Sequence, residues 1–222
     1  ISVAEYQTRA RTIIKDIVRR GRIPILAGGT GFWIDAVVYN LALPAVRPNT
    51  RLRKDLAKKT SPELFQMLTR LDPSRAQTIE PENPRRLIRA IEIARALGRV
   101  PPLEKHSPYR VLWLGLNPSA NVLRAKIRKR VAAIIRRGLL RETKHLLARG
   151  IPRGRIREFG FEYRAALAAL EGVISKRELV RRLIAHTARY ARRQMTWFRR
   201  CPDIRWARTI RDAEKTAKIF FT

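Results

Sequence analysis

Apolar residues recur at helical spacing along most of the chain, and polar residues occupy the positions between them. The first such segment begins at Ser2, which forms a capping-box pattern with Glu5, and it ends before Gly21. The same spacing predicts further helices over residues 31–39, 51–59, 62–71, 84–97, 119–137, 139–148, 162–170 and 175–200, with a turn at 72–74. The C-terminal half is therefore predicted to be helical.

Two short stretches have the apolar and β-branched composition of buried strands. Residues 23–27 predict a parallel core strand, and residues 111–116 predict a second strand. The resulting order is strand, helix, helical excursion, helix, strand, which predicts an α/β fold whose core carries an inserted helical subdomain. We assign residues 1–43 to the core, residues 44–82 to the inserted subdomain, and residues 83–222 to the remainder of the core and the C-terminal helices.

A glycine turn, Gly28-Gly29-Thr30-Gly31, follows the first predicted strand and opens a helix. Glycine permits a positive φ and the close approach of a substrate to the backbone. The amides of the following helix N-terminus can face an anion or a nucleobase. A turn that uses glycine for its geometry alone would give the same pattern.

The chain is strongly basic, with 49 Lys and Arg against 18 Asp and Glu, a formal net charge of +31 and a pI near 11.7. Such an excess is self-repulsive in a compact chain, so it favours a polyanionic partner, with nucleic acid as the first candidate. In residues 175–200, arginines are interleaved with aromatic residues, which can contact phosphates and stack on unpaired bases. The alternative is a general basic bias on solvated faces.

Other chemistries are disfavoured by residue type and spacing. Cys201 is the one cysteine in the sequence, which excludes an internal disulfide and a multi-cysteine zinc site. No apolar run reaches the roughly 20 residues of a membrane span, and no secretory segment is present, so we expect a cytoplasmic protein. Asp35, the carboxylate nearest the glycine turn, is a candidate base, although exposure to solvent or pairing with a neighbouring arginine is the simpler interpretation.

Five segments, taken together and in this order, resemble the tRNA dimethylallyltransferase family. They are Gly28-Gly29-Thr30-Gly31, Asp72-Pro73 with the helix start at 83–92, Ile127-Arg128-Lys129-Arg130-Val131, Gly138-Leu139-Leu140-Arg141-Glu142, and residues 190–199. The resemblance covers nearly the whole chain. It implies a P-loop-NTPase-like parallel sheet core whose first strand and phosphate loop are missing, because no G-x-x-x-x-G-K-[ST] motif occurs and the chain begins at Ile1 within the approach to a helix.

This resemblance implies an activity and its partners. Members of the family transfer a dimethylallyl group from dimethylallyl diphosphate to N6 of adenosine 37 in the anticodon stem-loop of tRNA. In the family the diphosphate is bound by an N-terminal phosphate loop with Mg²⁺, and an aspartate accepts the proton. Neither element is present in this sequence, so we expect a truncated, monomeric chain that is inactive by itself and needs the N-terminal part for Mg²⁺. The alternative is a non-catalytic protein that binds tRNA or another RNA.

The resemblance also assigns residues, position by position. Arg130 matches the arginine that holds the diphosphate and is the candidate catalytic residue, against the alternative of one more exposed charge in a basic run. Thr30 matches a tRNA contact beside the flipped base, against the alternative of a helix N-cap. The other predicted tRNA contacts are Arg51, Arg85, Arg86, Leu87, Ile88, Arg89, Arg157, Glu158, Phe159, Gly160, Phe161 and Glu162. Phe161 stands where the family usually has tyrosine, and no metal ligand is assigned.

Overall fold

The computed structural model describes residues 1–221 and is mainly helical. Its helices are α1 (Val3–Arg19), α2 (Gly31–Val38), α3 (Thr50–Leu56), α4 (Ser61–Leu71), α5 (Pro73–Ala76), α6 (Pro84–Leu97), α7 (Ala120–Arg136), α8 (Leu139–Ala148), α9 (Arg153–Glu158), α10 (Phe161–Leu170), α11 (Lys176–Phe198) and α12 (Ile210–Phe221). Strands β1 (Leu114–Leu116) and β2 (Arg205–Ala207) pair in parallel, with Leu114 opposite Arg205. The helical content predicted from the sequence is confirmed.

Helix ends are set by the capping residues that the sequence indicates. At α1 both hydrogen bonds of the capping box are present, from the Ser2 amide to the Glu5 carboxylate (2.7 Å) and from the Glu5 amide to the Ser2 hydroxyl (3.2 Å). Helix α6 begins with Pro84, and it ends at Gly98, whose φ of +80° favours glycine. The sequence analysis did not predict α9, α12 or the short helix α5, which replaces the predicted turn at 72–74.

The chain forms two compact units. The first contains residues 1–27 and 32–110, and the second contains residues 28–31 and 111–221. We placed the domain boundaries at residues 43 and 82 because prolines interrupt the helical pattern near them. These boundaries stay a prediction.

The core of the first unit lies among helices α3 to α6. Leu64, Leu68, Leu87 and Ile91 are completely buried there. Asp72 is 6% exposed and lies between α4 and α5. Its side chain caps α5 by accepting a hydrogen bond from the Arg75 amide (2.9 Å), and it also accepts one from the amide of Val100 (2.7 Å), beyond the end of α6. This core holds α3 and α6, which carry basic side chains at their surfaces.

The core of the second unit lies among α7, α8, α10 and α11. Its buried side chains are Ile127, Val131, Leu139, Ala165, Ala166, Ile174, Leu179 and Leu183. Helix α7 contributes two of them, Ile127 and Val131, while the basic residues between them are exposed. The amphipathic pattern of α7 therefore separates packing from charge.

The predicted parallel core strand at residues 23–27 is wrong: these residues form no strand, and the side chain of Ile25 is 87% exposed. A strand needs a neighbour for its backbone hydrogen bonds, and among the described residues none lies beside this segment. The strand predicted at 111–116 is confirmed in part, as β1, with three residues. The described chain is thus rich in helices and has a small parallel sheet.

Candidate nucleic-acid interface

The glycine turn lies against α11 within the second unit. The side-chain amide of Gln194 donates a hydrogen bond to the carbonyl oxygen of Gly29 (3.0 Å). A Cβ atom on Gly29 would lie 1.8 Å from Nε2 of Gln194, and one on Gly31 would lie 2.0 Å from Cδ1 of Trp197. A side chain at Gly31 would therefore displace the indole ring of Trp197, whereas one at Gly29 would require the end of the Gln194 side chain to move. The positive φ that we expected is not found, since none of these glycines has one.

Gln194 and Trp197 stand three residues apart and so share one face of α11. Part of the 190–199 segment therefore has a structural role, because the side chains of Gln194 and Trp197 fix the turn that carries Thr30. Thr30 itself is exposed. This contact was not predicted from the sequence, although the three-residue spacing of Gln194 and Trp197 was visible there.

A buried carboxylate joins α3 to α6 in the first unit. Glu92 is 2% exposed and accepts hydrogen bonds from the Asn49 amide (2.6 Å), from Nε (2.9 Å) and Nη2 (2.6 Å) of Arg53, and from Nη1 of Arg89. Burial, the largest influence, raises the pKa of this carboxyl group. The hydrogen bonds from Arg53, Asn49 and Arg89 together outweigh it and lower the pKa of Glu92 to about 2. Glu92 is therefore ionised at neutral pH.

The side chains of the predicted tRNA segment 85–89 differ in their exposure to solvent. Arg85 and Arg86 are exposed at the start of α6, where Arg86 forms an ion pair with Glu80 (2.9 Å). Leu87 is completely buried in the core, and Ile88 packs against it. Ile88 is half-buried, so Arg85 and Arg86 are the more accessible groups of this segment, and the contacts of Leu87 and Ile88 with tRNA stay predictions.

Arg51, the predicted contact on α3, is exposed. It precedes Arg53 by two residues, so the two side chains point to nearly opposite sides of the helix. Arg53 faces Glu92. Arg51 therefore points away from that carboxylate.

The predicted segment 157–162 spans the end of α9 and the start of α10. Gly160, between the helices, has a φ of +141°, which favours glycine. The Phe161 ring is stacked on His186 of α11, with ring centroids 3.8 Å apart. Burial, the largest influence, lowers the pKa of His186.

Phe159 is the more open ring of this segment, with 43% of its surface exposed. The guanidinium of Arg155 lies 5.7 Å from its centroid, and Tyr163 meets it edge to face. Tyr163 is held in turn by donating a hydrogen bond to Glu142 (2.8 Å), which raises the pKa of the tyrosine. The arrangement resembles a stacking platform for an unpaired base.

The charged residues of segment 157–162 have different partners. Glu158 pairs with Arg155 (2.6 Å), and Arg157 lies 3.8 Å from Glu171. Glu162 lies in the first turn of α10.

Arg130 lies on the exposed side of α7. Among residues 1–221 it forms no ion pair, so its guanidinium is available to an anion. The predicted residues thus form two groups. Thr30, Arg130 and segment 157–162 belong to the second unit, and Arg51 with segment 85–89 belongs to the first.

Asp35 is 6% exposed, and its carboxylate accepts a hydrogen bond from Nζ of Lys105 (2.9 Å). The expected arginine partner is therefore a lysine. Within the described chain, no three His, Cys, Asp or Glu side chains come together to hold a metal ion. The Mg²⁺ that we expect with the N-terminal part stays a prediction.

No helix in the described part of the chain is both long enough and apolar enough to cross a lipid bilayer.

Comparison with known proteins gives consistent matches. The model of the IPP transferase family matches residues 1–201. The tRNA dimethylallyltransferase of Thermomicrobium roseum is 40% identical over 212 residues, which cover 92% of this chain and 64% of that protein. That of Anoxybacillus flavithermus is 36% identical over 211 residues, which cover 92% of this chain and 67% of that protein. The chain thus spans about two thirds of the length of these relatives.

Solved structures agree with these relatives. The full-length tRNA isopentenylpyrophosphate transferase of Bacillus halodurans is 34% identical, and the match covers 93% of this chain and 66% of that one, with a TM-score of 0.62. A eukaryotic dimethylallyltransferase, crystallised in the act of modifying tRNA, is 25% identical, with a TM-score of 0.66 over 89% of this chain and 52% of that one.

Proposed function

The chain belongs to the IPP transferase family, and on this premise we propose that it serves the transfer of a dimethylallyl group from dimethylallyl diphosphate to N6 of adenosine 37 of tRNA. The observation that carries the proposal is the match over residues 1–201, together with relatives that are named tRNA dimethylallyltransferases at 36–40% identity. The net charge of +31 supports a nucleic-acid substrate.

The reaction sets clear physical demands. The C–O bond between the allylic carbon and the diphosphate breaks, and its electron pair leaves with the diphosphate. A C–N6 bond forms, and N6 gives one proton to a base, which is an aspartate in the family. An exocyclic amine is a weak nucleophile, so catalysis depends on stabilising the negative charge of the departing diphosphate. The adenine must also leave its stack to reach the reacting carbon.

Arg130 is suited to the leaving group. A guanidinium offers five N–H donors in a planar fork and stays charged at neutral pH. In this structure the group is exposed and forms no ion pair among residues 1–221. We therefore assign Arg130 to the diphosphate as the catalytic residue.

The remaining predicted residues are assigned to tRNA. Thr30, exposed on a turn that Gln194 and Trp197 fix, supplies a hydroxyl for a base edge. Arg51, Arg85 and Arg86 supply phosphate contacts, and the exposed ring of Phe159 supplies a stacking surface. One face of the Phe161 ring is covered by His186, and the contact of Phe161 with tRNA stays a prediction.

The function and the division of roles are tested in the complete natural protein that carries this sequence. The protein is incubated with labelled dimethylallyl diphosphate and unmodified tRNA, and we expect label in the tRNA. Arg130→Ala should lower turnover and diphosphate affinity about 10- to 150-fold, because one charge-assisted contact is lost. Its tRNA affinity should change little. The double variant Arg85→Ala, Arg86→Ala should instead weaken tRNA binding and flatten its salt dependence by up to about two units of slope.

Arg128→Ala is the matched control, because Arg128 is an exposed arginine on the same helix. Thermal melts of all variants exclude a folding defect. If Arg130→Ala lost tRNA binding as severely as the double variant and kept normal diphosphate affinity, the assignment of Arg130 would be wrong. If tRNA bound to the natural protein without ever acquiring label, the proposed transfer itself would be wrong.

A further inference from the structure

Two arginines share a single carboxylate where α3 meets α6. Arg53 donates bidentate hydrogen bonds to the Glu92 carboxylate through Nε and Nη2, and Arg89 donates to the same carboxylate through Nη1. One negative charge cannot neutralise two positive charges. The cluster of Arg53, Arg89 and Glu92, hereafter the arginine cluster, therefore keeps one net positive charge.

The surplus charge faces solvent. The side chain of Glu92 is 2% exposed, whereas those of Arg53 and Arg89 are 40% and 36% exposed. The carboxylate thus lies beneath the two guanidinium groups and leaves their outer edges accessible. An anion can approach the arginines without meeting the carboxylate directly.

Both guanidinium groups retain unused donors. In the described structure Nη1 of Arg53 makes no hydrogen bond, nor does Nε of Arg89. Nη2 of Arg89 also donates to the carbonyl oxygen of Val46 (3.1 Å), which fixes the second guanidinium independently. Side chains that are already ordered lose little conformational entropy when they bind a ligand.

Arg85 extends the basic surface along α6. It precedes Arg89 by four residues and Glu92 by seven, so all three lie on one face of the helix. Arg85 is exposed and forms no ion pair within residues 1–221. The basic face of α6 therefore runs from the arginine cluster to the helix start.

We propose that Arg53 and Arg89, held by Glu92, form a preorganised site for a backbone phosphate of RNA. The proposal rests on the proposed function for the identity of the nucleic acid. It adds Arg53 as a phosphate contact, and it gives Arg89 a dual contact, to the carboxylate beneath it and to phosphate above it. Planar, bidentate donors match the geometry of a phosphate group.

The salt dependence of tRNA binding distinguishes this site from an ion pair that only stabilises the fold. Arg53→Gln should lower affinity about tenfold and reduce the slope of log affinity against log salt by about one unit, since one phosphate contact is lost. Arg9→Gln is the control, because it removes one exposed positive charge from α1 in the same unit. Its slope should match that of the wild type. An unchanged slope in Arg53→Gln, with lowered thermal stability, would overturn the proposal.

Two further measurements keep the proposal testable if Arg53→Gln does not fold. Arg53→Lys retains the positive charge and loses the bidentate geometry of the guanidinium. It should therefore weaken tRNA binding without changing the slope of log affinity against log salt. In the wild type, titration with inorganic phosphate should shift the Nε–H resonances of Arg53 and Arg89, but not that of Arg9. Equal responses from all three arginines would overturn the proposal.

The outcomes also separate this site from the proposed function. Wild-type binding to tRNA with no effect of Arg53→Gln would refute the site and leave the function standing. If tRNA did not bind, while a single-stranded RNA oligonucleotide bound and responded to Arg53→Gln, the function would fail and the site would stand. A lack of response to both RNAs and to phosphate would refute both.

Discussion

The affinity of the chain for tRNA is expected to fall about 10³- to 10⁵-fold between 50 and 200 mM salt if about 6–10 phosphates are engaged. The reason is the release of counterions from the RNA by basic side chains. The chain carries 49 Lys and Arg against 18 Asp and Glu. Both units contain exposed arginines that form no ion pair within residues 1–221, such as Arg51, Arg85 and Arg130. Fluorescence anisotropy of labelled tRNA across a salt series measures the slope.

Constant magnesium throughout that series keeps the tRNA folded, so that the slope reports the protein contacts. A slope near zero would contradict an interface made through phosphates. It would leave the net charge of +31 as a general basic bias of the surface.

Glu92→Gln is expected to lower the free energy of unfolding by about 3 kcal/mol at pH 7. The folded pKa of about 2 lies below the ordinary value of 4.5, so the carboxylate contributes stability above about pH 4.5 and loses it as the pH falls toward 2. The variant also leaves Arg53 and Arg89 without their shared anion. The difference in stability between wild type and variant should therefore shrink on acidification from pH 7 to pH 3, which urea unfolding at several pH values measures.

Glu63→Gln serves as the control for that series. Glu63 is exposed, and its pKa is lowered by hydrogen bonds with Thr60 at the start of α4, so its replacement should cost far less stability. A loss in Glu92→Gln that stayed constant between pH 7 and pH 3 would contradict the ionic role of Glu92.

Helices were predictable from the sequence because their signals are local. Ser2 with Glu5, and Asn83 with Pro84, mark helix starts within a few residues, and both starts are confirmed. The strand predicted at residues 23–27 does not form. The local pattern could not show this, because a strand depends on a partner strand that the local pattern does not contain. Strand β2 has only three residues, which is too short for a period to be visible.

For the candidate site, the resemblance indicated which residues to consider, but not the contacts that hold them. Resemblance supplied Thr30, Arg130 and the tRNA segments, whereas the contacts that hold them join residues far apart in the sequence. Glu92 and Arg53 are 39 residues apart, and Gln194 and Gly29 are 165 residues apart. The visible sign of the arginine cluster was the position of Glu92 between Ile91 and Ile93.

We propose that the chain acts on the anticodon arm of tRNA. This is tested most directly by measuring the affinity for two hairpins made from the same tRNA, the anticodon arm with adenosine 37 and the acceptor arm, at the same salt concentration. We expect the anticodon arm to bind at least about tenfold more tightly, a difference of about 1.4 kcal/mol. Equal affinity for the two hairpins would contradict it, because a basic surface without a site for the anticodon loop would bind both alike.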